Sequence, residues 1–307
     1  MSFKKQKTIF VCQECGYESP KWMGQCICGQ WNTFVEEKIQ ENTNNVKGRM
    51  PANSSKPVPI REIRSGIYDR LDTGIAELNR VLGGGLVKGS VILISGEPGI
   101  GKSTLILQAA AAIAGKNGKV LYISGEESEE QIKIRADRIG ALSEELYLLS
   151  ETNVDRILDF VHEIQPVFLI IDSIQTLFSQ DLSSAPGSVS QVRECANYIL
   201  REAKAKNIPV FIIAHVTKSG DLAGPRILEH MVDAVLNFTG ERNQEFRMLR
   251  SYKNRYGTTS EIGAFEMKDS GLMELDNLSR SFLEGLEKEA EGAMVTCSYE
   301  GTRPLLL

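Results

Sequence analysis

The stretch "VILISGEPGIGKST", residues 91–104, decides the fold. It joins an apolar, β-branched run to a glycine-rich loop that matches the pattern G-x-x-x-x-G-K-[ST]. In this pattern the glycines let backbone N–H groups converge on phosphate oxygens, and the N-terminus of the following helix adds a favourable dipole. The stretch therefore predicts a strand, a phosphate-binding loop and a helix, with a capped glycine turn as the plain structural alternative.

The loop predicts which residues would hold ATP and Mg²⁺. Lys102 is expected to contact the β- and γ-phosphates, and the Ser103 hydroxyl to ligate Mg²⁺. The whole predicted nucleotide contact set is Gly96, Glu97, Pro98, Gly99, Ile100, Gly101, Lys102, Ser103 and Thr104.

Further apolar runs outward from this stretch predict an α/β fold with a mostly parallel sheet. They lack polar alternation, which is typical of strands buried on both faces, and helix-like segments separate them. The predicted strands are 91–95, 120–124, 146–149, 167–171 and 210–214, and the predicted helices are 103–114, 128–139, 155–164 and 188–205. After Asp233 the strand-like runs "AVLNF", "FRMLRSYKNRYG" and "GAFEMKDSGLMEL" predict an antiparallel extension of the sheet.

Three polar positions follow predicted strands and would face the nucleotide. Asp172 ends "VFLIID" and is expected to hold the Mg²⁺ shell, although a helix-capping Asp is the alternative. Glu126 is predicted to be the base that activates water, while Glu127 fits a first-turn acid favoured by the helix dipole. His215, at the tip of "VFIIA", is predicted to sense the γ-phosphate, with a structural hydrogen bond as the alternative.

The N-terminal region is rich in cysteine. "CQECGYESPKWMGQCICGQW", residues 12–31, predicts a zinc site built by four thiolates, with free thiols as the alternative; the ligands would be Cys12, Cys15, Cys26 and Cys28. The second pair is C-x-C where a zinc knuckle usually has C-x-x-C, which predicts a somewhat strained or weaker site. A zinc module over 1–35 would be followed by a polar linker over 36–64.

Composition narrows the function classes. The net charge of −5 argues against a chain coated with basic residues, so DNA contacts would come from local loops. No apolar run reaches the roughly 20 residues needed to cross a bilayer, and the N-terminus has no signal-peptide pattern. We therefore expect a cytoplasmic protein without a membrane partner, in a reducing compartment where clustered cysteines favour metal ligation.

Several motifs together resemble one family. "LDTGIAELNRVLGGGLVKGSVILISGEPGIGKST", "SGEES", "SAPGSVSQVRE", "HVTKSGDLAGP" and "KNRYG", with the cysteine block, are similar in order and spacing to the bacterial RadA (Sms) family of RecA-like ATPases. The resemblance implies a RecA-like P-loop core over 65–285, a hexameric ring, and DNA-stimulated ATP hydrolysis. It also implies branch migration of recombination intermediates on single-stranded and branched DNA, with RecA recombinase among the partners.

In that family the motif Lys-Asn-Arg-aromatic-Gly acts across a subunit boundary. Here it places Lys253 and Arg255 as catalytic residues that would reach a neighbouring subunit's nucleotide, whereas solvated strand charges are the alternative. Loops in the ring lumen would offer Arg193, Lys218 and Arg226 to DNA phosphates, unless they carry ordinary surface charges. Family members usually continue into a Lon-protease-like domain, and this sequence ends where that domain would begin, so 286–307 would be its start. Whether the sequence is a fragment of a longer chain or a naturally short form, ring stability is in doubt without that domain.

Two other functions fit parts of the sequence. A KaiC-type regulatory ATPase that does not act on DNA would also use adjacent glutamates after a strand, but it is not expected to carry the cysteine module or "KNRYG". A zinc-based interaction protein with a passive ATPase core would not need the intact Lys102, Ser103 and Asp172.

Overall fold

The computed structural model describes residues 6–40, 59–62, 70–214, 227–240, 246–275, 279 and 295–306. Short 3-10 helices lie at Ile60–Glu62 and Ile174–Thr176. The α-helices are α1 (Ala76–Leu82), α2 (Lys102–Asn117), α3 (Glu129–Ile139), α4 (Val154–Ile164), α5 (Val189–Lys206) and α6 (Ile227–Met231).

The strands are β1 (Gln6–Cys12), β2 (Glu18–Ser19), β3 (Phe34–Gln40), β4 (Arg70–Leu71), β5 (Leu86–Val87), β6 (Val91–Gly96), β7 (Val120–Ser124), β8 (Leu146–Ser150), β9 (Phe168–Asp172), β10 (Val210–Ile213), β11 (Ala234–Thr239), β12 (Phe246–Asn254), β13 (Ile262–Lys268), β14 (Gly271–Glu274), β15 (Cys297–Glu300) and β16 (Arg303–Leu306). Each predicted strand and helix before Asp233 is found within a few residues of its expected bounds.

Nine strands form the central sheet, in the order β14-β13-β12-β11-β6-β10-β9-β7-β8. The six strands from β11 to β8 in this order run parallel, and β12, β13 and β14 form an antiparallel edge. The prediction of an antiparallel extension is confirmed for β12, β13 and β14. "AVLNF" forms β11, which pairs antiparallel with β12 but parallel with β6, so it joins the extension to the parallel part of the sheet. The connection from Ile213 to Ala234 is long enough for the crossover that a parallel pairing requires.

Side chains along the central strands point alternately to the two faces of the sheet, and this divides the core into two layers. In β7, Val120 and Tyr122 face the layer covered by α1, α2 and α3, whereas Leu121 and Ile123 face the layer covered by α4 and α5. All four side chains are fully buried. A sheet buried on both faces explains why its strands contain nearly continuous apolar residues.

The cysteine-rich segment forms a separate three-stranded antiparallel sheet, β2-β1-β3, which we call the ribbon (residues 6–40). It packs against the start of α5. The Ser190 hydroxyl donates to the Glu37 carboxylate, and Arg193 pairs with Glu18 at 3.3 Å. The ribbon is therefore attached to the helix that follows β9 and its long loop.

Helices in the described part of the chain are all too short or too polar to span a membrane.

Candidate nucleotide site and zinc centre

The glycine-rich loop lies at the carboxyl end of β6 and leads directly into α2. Two of its glycines have positive φ angles and leave little room for a side chain. At Gly96 (φ +152°) an added Cβ would overlap the carbonyl oxygen of Phe238, and at Gly101 (φ +113°) it would lie 2.6 Å from Cε of Met267. The backbone thus passes close to β11 and β13 in a conformation that glycine tolerates and other residues resist.

Lys102 begins α2 and is almost completely buried. Its Nζ donates to the carbonyl oxygens of Gly96 at 2.7 Å and Glu97 at 3.0 Å. Burial lowers the pKa of Lys102 from 10.5 to about 8, although the nearby Asp172 and Glu126 carboxylates raise it. The amine therefore lies inside the loop with both predicted acids close enough to influence its charge.

Asp172 ends β9, and in the sheet it stands level with Ser124, the last residue of β7. The hydroxyl of the fully buried Tyr122 donates to Oδ2 of Asp172 at 2.5 Å. Burial first, and then the Asp172 charge and this hydrogen bond, raise the pKa of Tyr122 well above its usual value, so the hydroxyl keeps its proton and remains a donor. One oxygen of Asp172 is thereby held by the protein core.

The two adjacent glutamates have different partners. Glu127 forms a bidentate pair with Arg135 of α3, whose Nη1 donates to Oε1 at 3.2 Å. Glu126 is exposed, and its Oε1 accepts a hydrogen bond of 2.6 Å from the hydroxyl of Ser173, the residue after Asp172. The structure therefore brings Glu126 to the end of β9 beside the loop, and its role as the base stays a prediction.

The remaining predicted nucleotide contacts can be placed from the chain order. Ser103 and Thr104 occupy the first turn of α2, and residues 97–101 form the loop before it. Because β6, β10 and β9 are neighbouring parallel strands, Ser103 and Asp172 lie at the same edge of the sheet. His215 lies outside the described residues, as do Lys218 and Arg226.

Lys253 and Arg255 are not brought to this loop within the same chain. Lys253 stands level with Val235 of β11, and Val235 with Leu93 near the start of β6. Its Nζ donates to the carbonyl oxygens of Glu229 at 2.7 Å and Val232 at 2.8 Å, near the end of α6. Desolvation and the neighbouring Arg255 charge lower the pKa of Lys253.

Arg255 also lies at the amino-terminal edge of the sheet. It pairs with Oδ1 of the buried Asp233 at 3.0 Å, while Oδ2 of Asp233 accepts a hydrogen bond of 3.0 Å from the backbone N–H of Val91, the first residue of β6. Both predicted catalytic cations thus occupy the sheet edge opposite the glycine-rich loop, so a role in hydrolysis would have to involve another copy's nucleotide.

Arg193, expected in a DNA-facing loop, is instead a helical residue of α5 paired with Glu18 of the ribbon. Sequence reasoning also missed Tyr122 and Ser173, which hold the two acids. One signal was present: "VLYIS" is a buried strand with a tyrosine at its centre, and a buried tyrosine hydroxyl needs a hydrogen-bond partner.

The four ribbon cysteines converge. Their Sγ atoms all lie within 4.8 Å of one another, with Cys12 and Cys28 at 3.9 Å and Cys15 and Cys26 at 3.4 Å. In a tetrahedral site with Zn–S bonds of about 2.3 Å, the sulfurs lie about 3.8 Å apart. The C-x-C spacing therefore does not prevent the second pair from completing the ligand set, and its effect on zinc affinity stays a prediction.

The surroundings of Cys12 favour the thiolate that zinc binds. Burial alone would raise its pKa, but the Thr33 hydroxyl at 3.0 Å and the backbone N–H groups of Cys15 and Glu14 lower the pKa to about 7. By contrast, burial raises the pKa of Cys15 and of Cys26.

Two family models match the chain in these regions. The model of the AAA domain matches residues 59–221, and that of the rubredoxin metal binding domain matches residues 10–36. The chain is therefore an ATPase that uses ATP with Mg²⁺, and its four-cysteine ribbon binds zinc.

Solved structures support the fold. The RadB recombinase superposes with a TM-score of 0.53 at 21% identity, covering 67% of this chain and 100% of that chain. A second solved ATPase domain superposes with a TM-score of 0.58 at 15% identity, covering 69% of this chain and 94% of that chain. The core thus has the RecA-like fold that the motifs predict.

Curated relatives match over nearly the whole chain. DNA repair protein RadA of Bacillus subtilis (strain 168) is 53% identical over 307 residues, covering 99% of this chain and 67% of the relative. RadA of Listeria monocytogenes serovar 1/2a is 51% identical over 308 residues, covering 100% of this chain and 67% of the relative. With this identity, the P-loop ATPase core and the cysteine ribbon, the chain belongs to the RadA family of DNA repair proteins.

Proposed function

We propose that the chain hydrolyses ATP in response to single-stranded and branched DNA, and that it uses this energy to drive branch migration of recombination intermediates. The observation that carries the proposal is the separation of its charged groups. Lys102, Asp172 and Glu126 lie at one edge of the sheet, and Lys253 and Arg255 lie at the other. Such a site is completed only when a second copy brings its cations to the first copy's nucleotide.

In the proposed mechanism the loop residues 96–104 hold the phosphates, and Lys102 leaves its carbonyl partners to contact the β- and γ-phosphate oxygens. Ser103 and Asp172 would hold Mg²⁺, which would supply positive charge to offset the negative charge of the phosphate oxygens. The Glu126 carboxylate, oriented by Ser173, orients water and accepts its proton as the water oxygen attacks the γ-phosphorus. ADP then leaves with the bridging oxygen.

The same proposal implies a homo-oligomer, for which a hexameric ring is the form that the family resemblance favours. Lys253 and Arg255 of one copy would stabilise the charge that develops on the next copy's γ-phosphate. Single-stranded DNA would run along the loops that follow Asp172, and RecA recombinase would be a protein partner at recombination intermediates.

A mixing experiment tests the shared site. Lys102→Ala should abolish hydrolysis, and Arg255→Ala should lower kcat on the order of a hundredfold or more, as loss of an arginine finger does. When the two inactive variants are mixed in equal amounts, about a quarter of the interfaces in a randomly mixed ring pair an intact loop with an intact Arg255. DNA-stimulated activity should therefore return to a comparable fraction of wild type.

Lys133→Ala is the matched control, since Lys133 is an exposed cation on α3 that pairs with Asp137. It should leave ATP turnover unchanged. If the mixed variants stay inactive although they co-assemble, Arg255 does not act between copies. An ATPase rate that does not respond to single-stranded DNA would instead favour a regulatory ATPase of the KaiC type.

A further inference from the structure

The ribbon presents the only two tryptophans of the chain on its surface. Trp22 is 53% exposed and Trp31 is 66% exposed, values far from those of a packed aromatic residue. Both six-membered rings approach Gly24: a Cβ added there would lie 3.8 Å from Cζ3 of Trp31 and 3.9 Å from Cζ3 and Cη2 of Trp22. We call this pair of rings the indole platform.

The backbone that carries the indole platform is fixed by hydrogen bonds within the turn that contains Cys26 and Cys28. Trp31 bridges to Gln25 in antiparallel fashion, and Asn32 N–H donates to the Gly24 carbonyl at 2.8 Å. The backbone of Lys21, next to Trp22, is tied twice to the Ser19 hydroxyl. The backbone that carries both rings is therefore ordered before any ligand arrives, which reduces the entropy lost on binding.

The chemistry around the platform suits nucleobases. Residues 20–32 contain no Asp or Glu and carry one cation, Lys21, together with the amide side chains of Gln25, Gln30 and Asn32. Two of the four ribbon carboxylates are already used against α5, Glu18 with Arg193 and Glu37 with Ser190. Exposed aromatic faces on a segment that carries amides and a cation but no carboxylate are the kind of surface on which unpaired bases stack.

We propose that the indole platform binds single-stranded nucleic acid by stacking bases on Trp22 and Trp31. The proposal rests on the proposed function, because it assigns part of DNA binding to the ribbon. Stacking on an aromatic face is tolerant of sequence, as a protein that follows migrating branches requires. Since the interaction is largely non-ionic, it adds affinity without adding to the salt dependence that phosphate contacts create.

The tryptophans themselves report the interaction, because the chain has no others. Titration of the zinc-loaded full chain with oligothymidylate should quench the tryptophan emission in parallel with binding measured by anisotropy of a labelled strand. Trp22→Ala and Trp31→Ala should each weaken binding about tenfold, by the typical free energy of one stacked base. The slope of log Kd against log salt should stay as in wild type.

Two further variants separate stacking from loss of fold. Trp22→Phe and Trp31→Phe keep an aromatic face and should recover most of the affinity, and the zinc content and basal ATPase rate of every variant should match wild type. Tyr299→Ala removes an aromatic ring that is 73% exposed on β15, and it should bind oligothymidylate normally.

The outcomes are distinguishable. If the chain binds oligothymidylate without change in tryptophan emission, and the double alanine variant binds as wild type, the platform does not bind nucleic acid and a protein partner becomes its better occupant. That result leaves the proposed function intact. If the wild-type chain does not bind single strands at low salt, the proposed function itself fails, and this inference fails with it.

Discussion

The hydrogen bond from Tyr122 to Asp172 gives the most direct test of the nucleotide site. Tyr122→Phe removes only the hydroxyl, which lies 2.5 Å from Oδ2 of Asp172 in a fully buried position. The ring and its packing remain, so no large cavity is created. The change therefore isolates one donor to a carboxylate that is 8% exposed.

The expected cost follows from the charge of the acceptor. Hydrogen bonds to charged groups contribute about 1.5–3 kcal/mol, and the free energy of unfolding of the ATPase core should fall by about that amount. Because the pKa of Tyr122 is raised, the hydroxyl stays protonated at every pH below its usual pKa of 10.0, and the effect should be constant from about pH 6 to 9. Asp172 would also lose its orientation, so half-saturation of the ATPase by Mg²⁺ should need several-fold more of the ion.

Urea unfolding followed by far-UV circular dichroism measures the first effect, and ATPase rate against Mg²⁺ concentration measures the second. The matched control is Tyr147→Phe on the neighbouring strand β8, where the ring is 38% exposed and stands level with Leu121. It should change neither quantity. The result that would refute this reasoning is a Tyr122→Phe variant with the wild-type unfolding midpoint and the wild-type Mg²⁺ dependence. In that case the hydroxyl does not orient Asp172.

Other positions give shorter tests. Because the pKa of Lys102 is lowered to about 8, its amine loses its charge as the pH rises through that value, and ATP affinity should fall about tenfold per pH unit above it. Calorimetry from about pH 6.5 to 9.5 measures this dependence. Lys102→Ala should bind ATP weakly, with an affinity that does not change with pH in this way. Gly96→Ala should destabilise the core by about 1–3 kcal/mol and abolish ATP binding, because its Cβ would overlap the Phe238 carbonyl. Gly115→Ala is the control, since Gly115 lies in α2 with open space around it, and it should not reduce stability in the same unfolding assay. Chelation should release zinc in near-stoichiometric amount while core helicity persists, and one glycine inserted into the C-x-C pair should slow that release. Equal release rates would show that the short spacing does not weaken the site.

The parallel core was predictable because it depends on local patterns. Continuous apolar runs such as 168–171, followed by the acid Asp172 at the strand end, indicate burial on both faces directly in the sequence. The glycine loop was predictable for the same reason, since its spacing and its place between strand and helix are both local. The position of β11 was not, because pairing in parallel with β6 is decided by a crossover and by the neighbouring strand rather than by the letters "AVLNF".

The candidate site was predictable only in part. The motif positions Lys102 and Asp172 converge at one edge, but the hydrogen bonds that orient the acids come from residues with no motif. Tyr122 and Ser173 reach Asp172 and Glu126 through sheet register and a turn, and such contacts join residues about fifty positions apart. Periodicity also does not reveal which edge of the sheet a strand end occupies. The family resemblance implied that Arg255 acts on a neighbouring subunit, and the structure supplies its position at the edge away from its own glycine loop.

The two oxygens of Asp233 connect features that the sequence separates widely. Oδ2 accepts a hydrogen bond from the backbone N–H of Val91, the first residue of the strand that leads to the glycine loop. Oδ1 pairs with Arg255. If a neighbouring nucleotide draws Arg255 away, the same carboxylate loses its counter-charge while it still anchors that strand. Thermodynamic linkage then requires the converse, that a change at the strand alters how readily Arg255 is released. A single buried side chain would thus make nucleotide occupancy in one copy and cation donation to the next copy interdependent, and cooperativity between sites would need no moving domain.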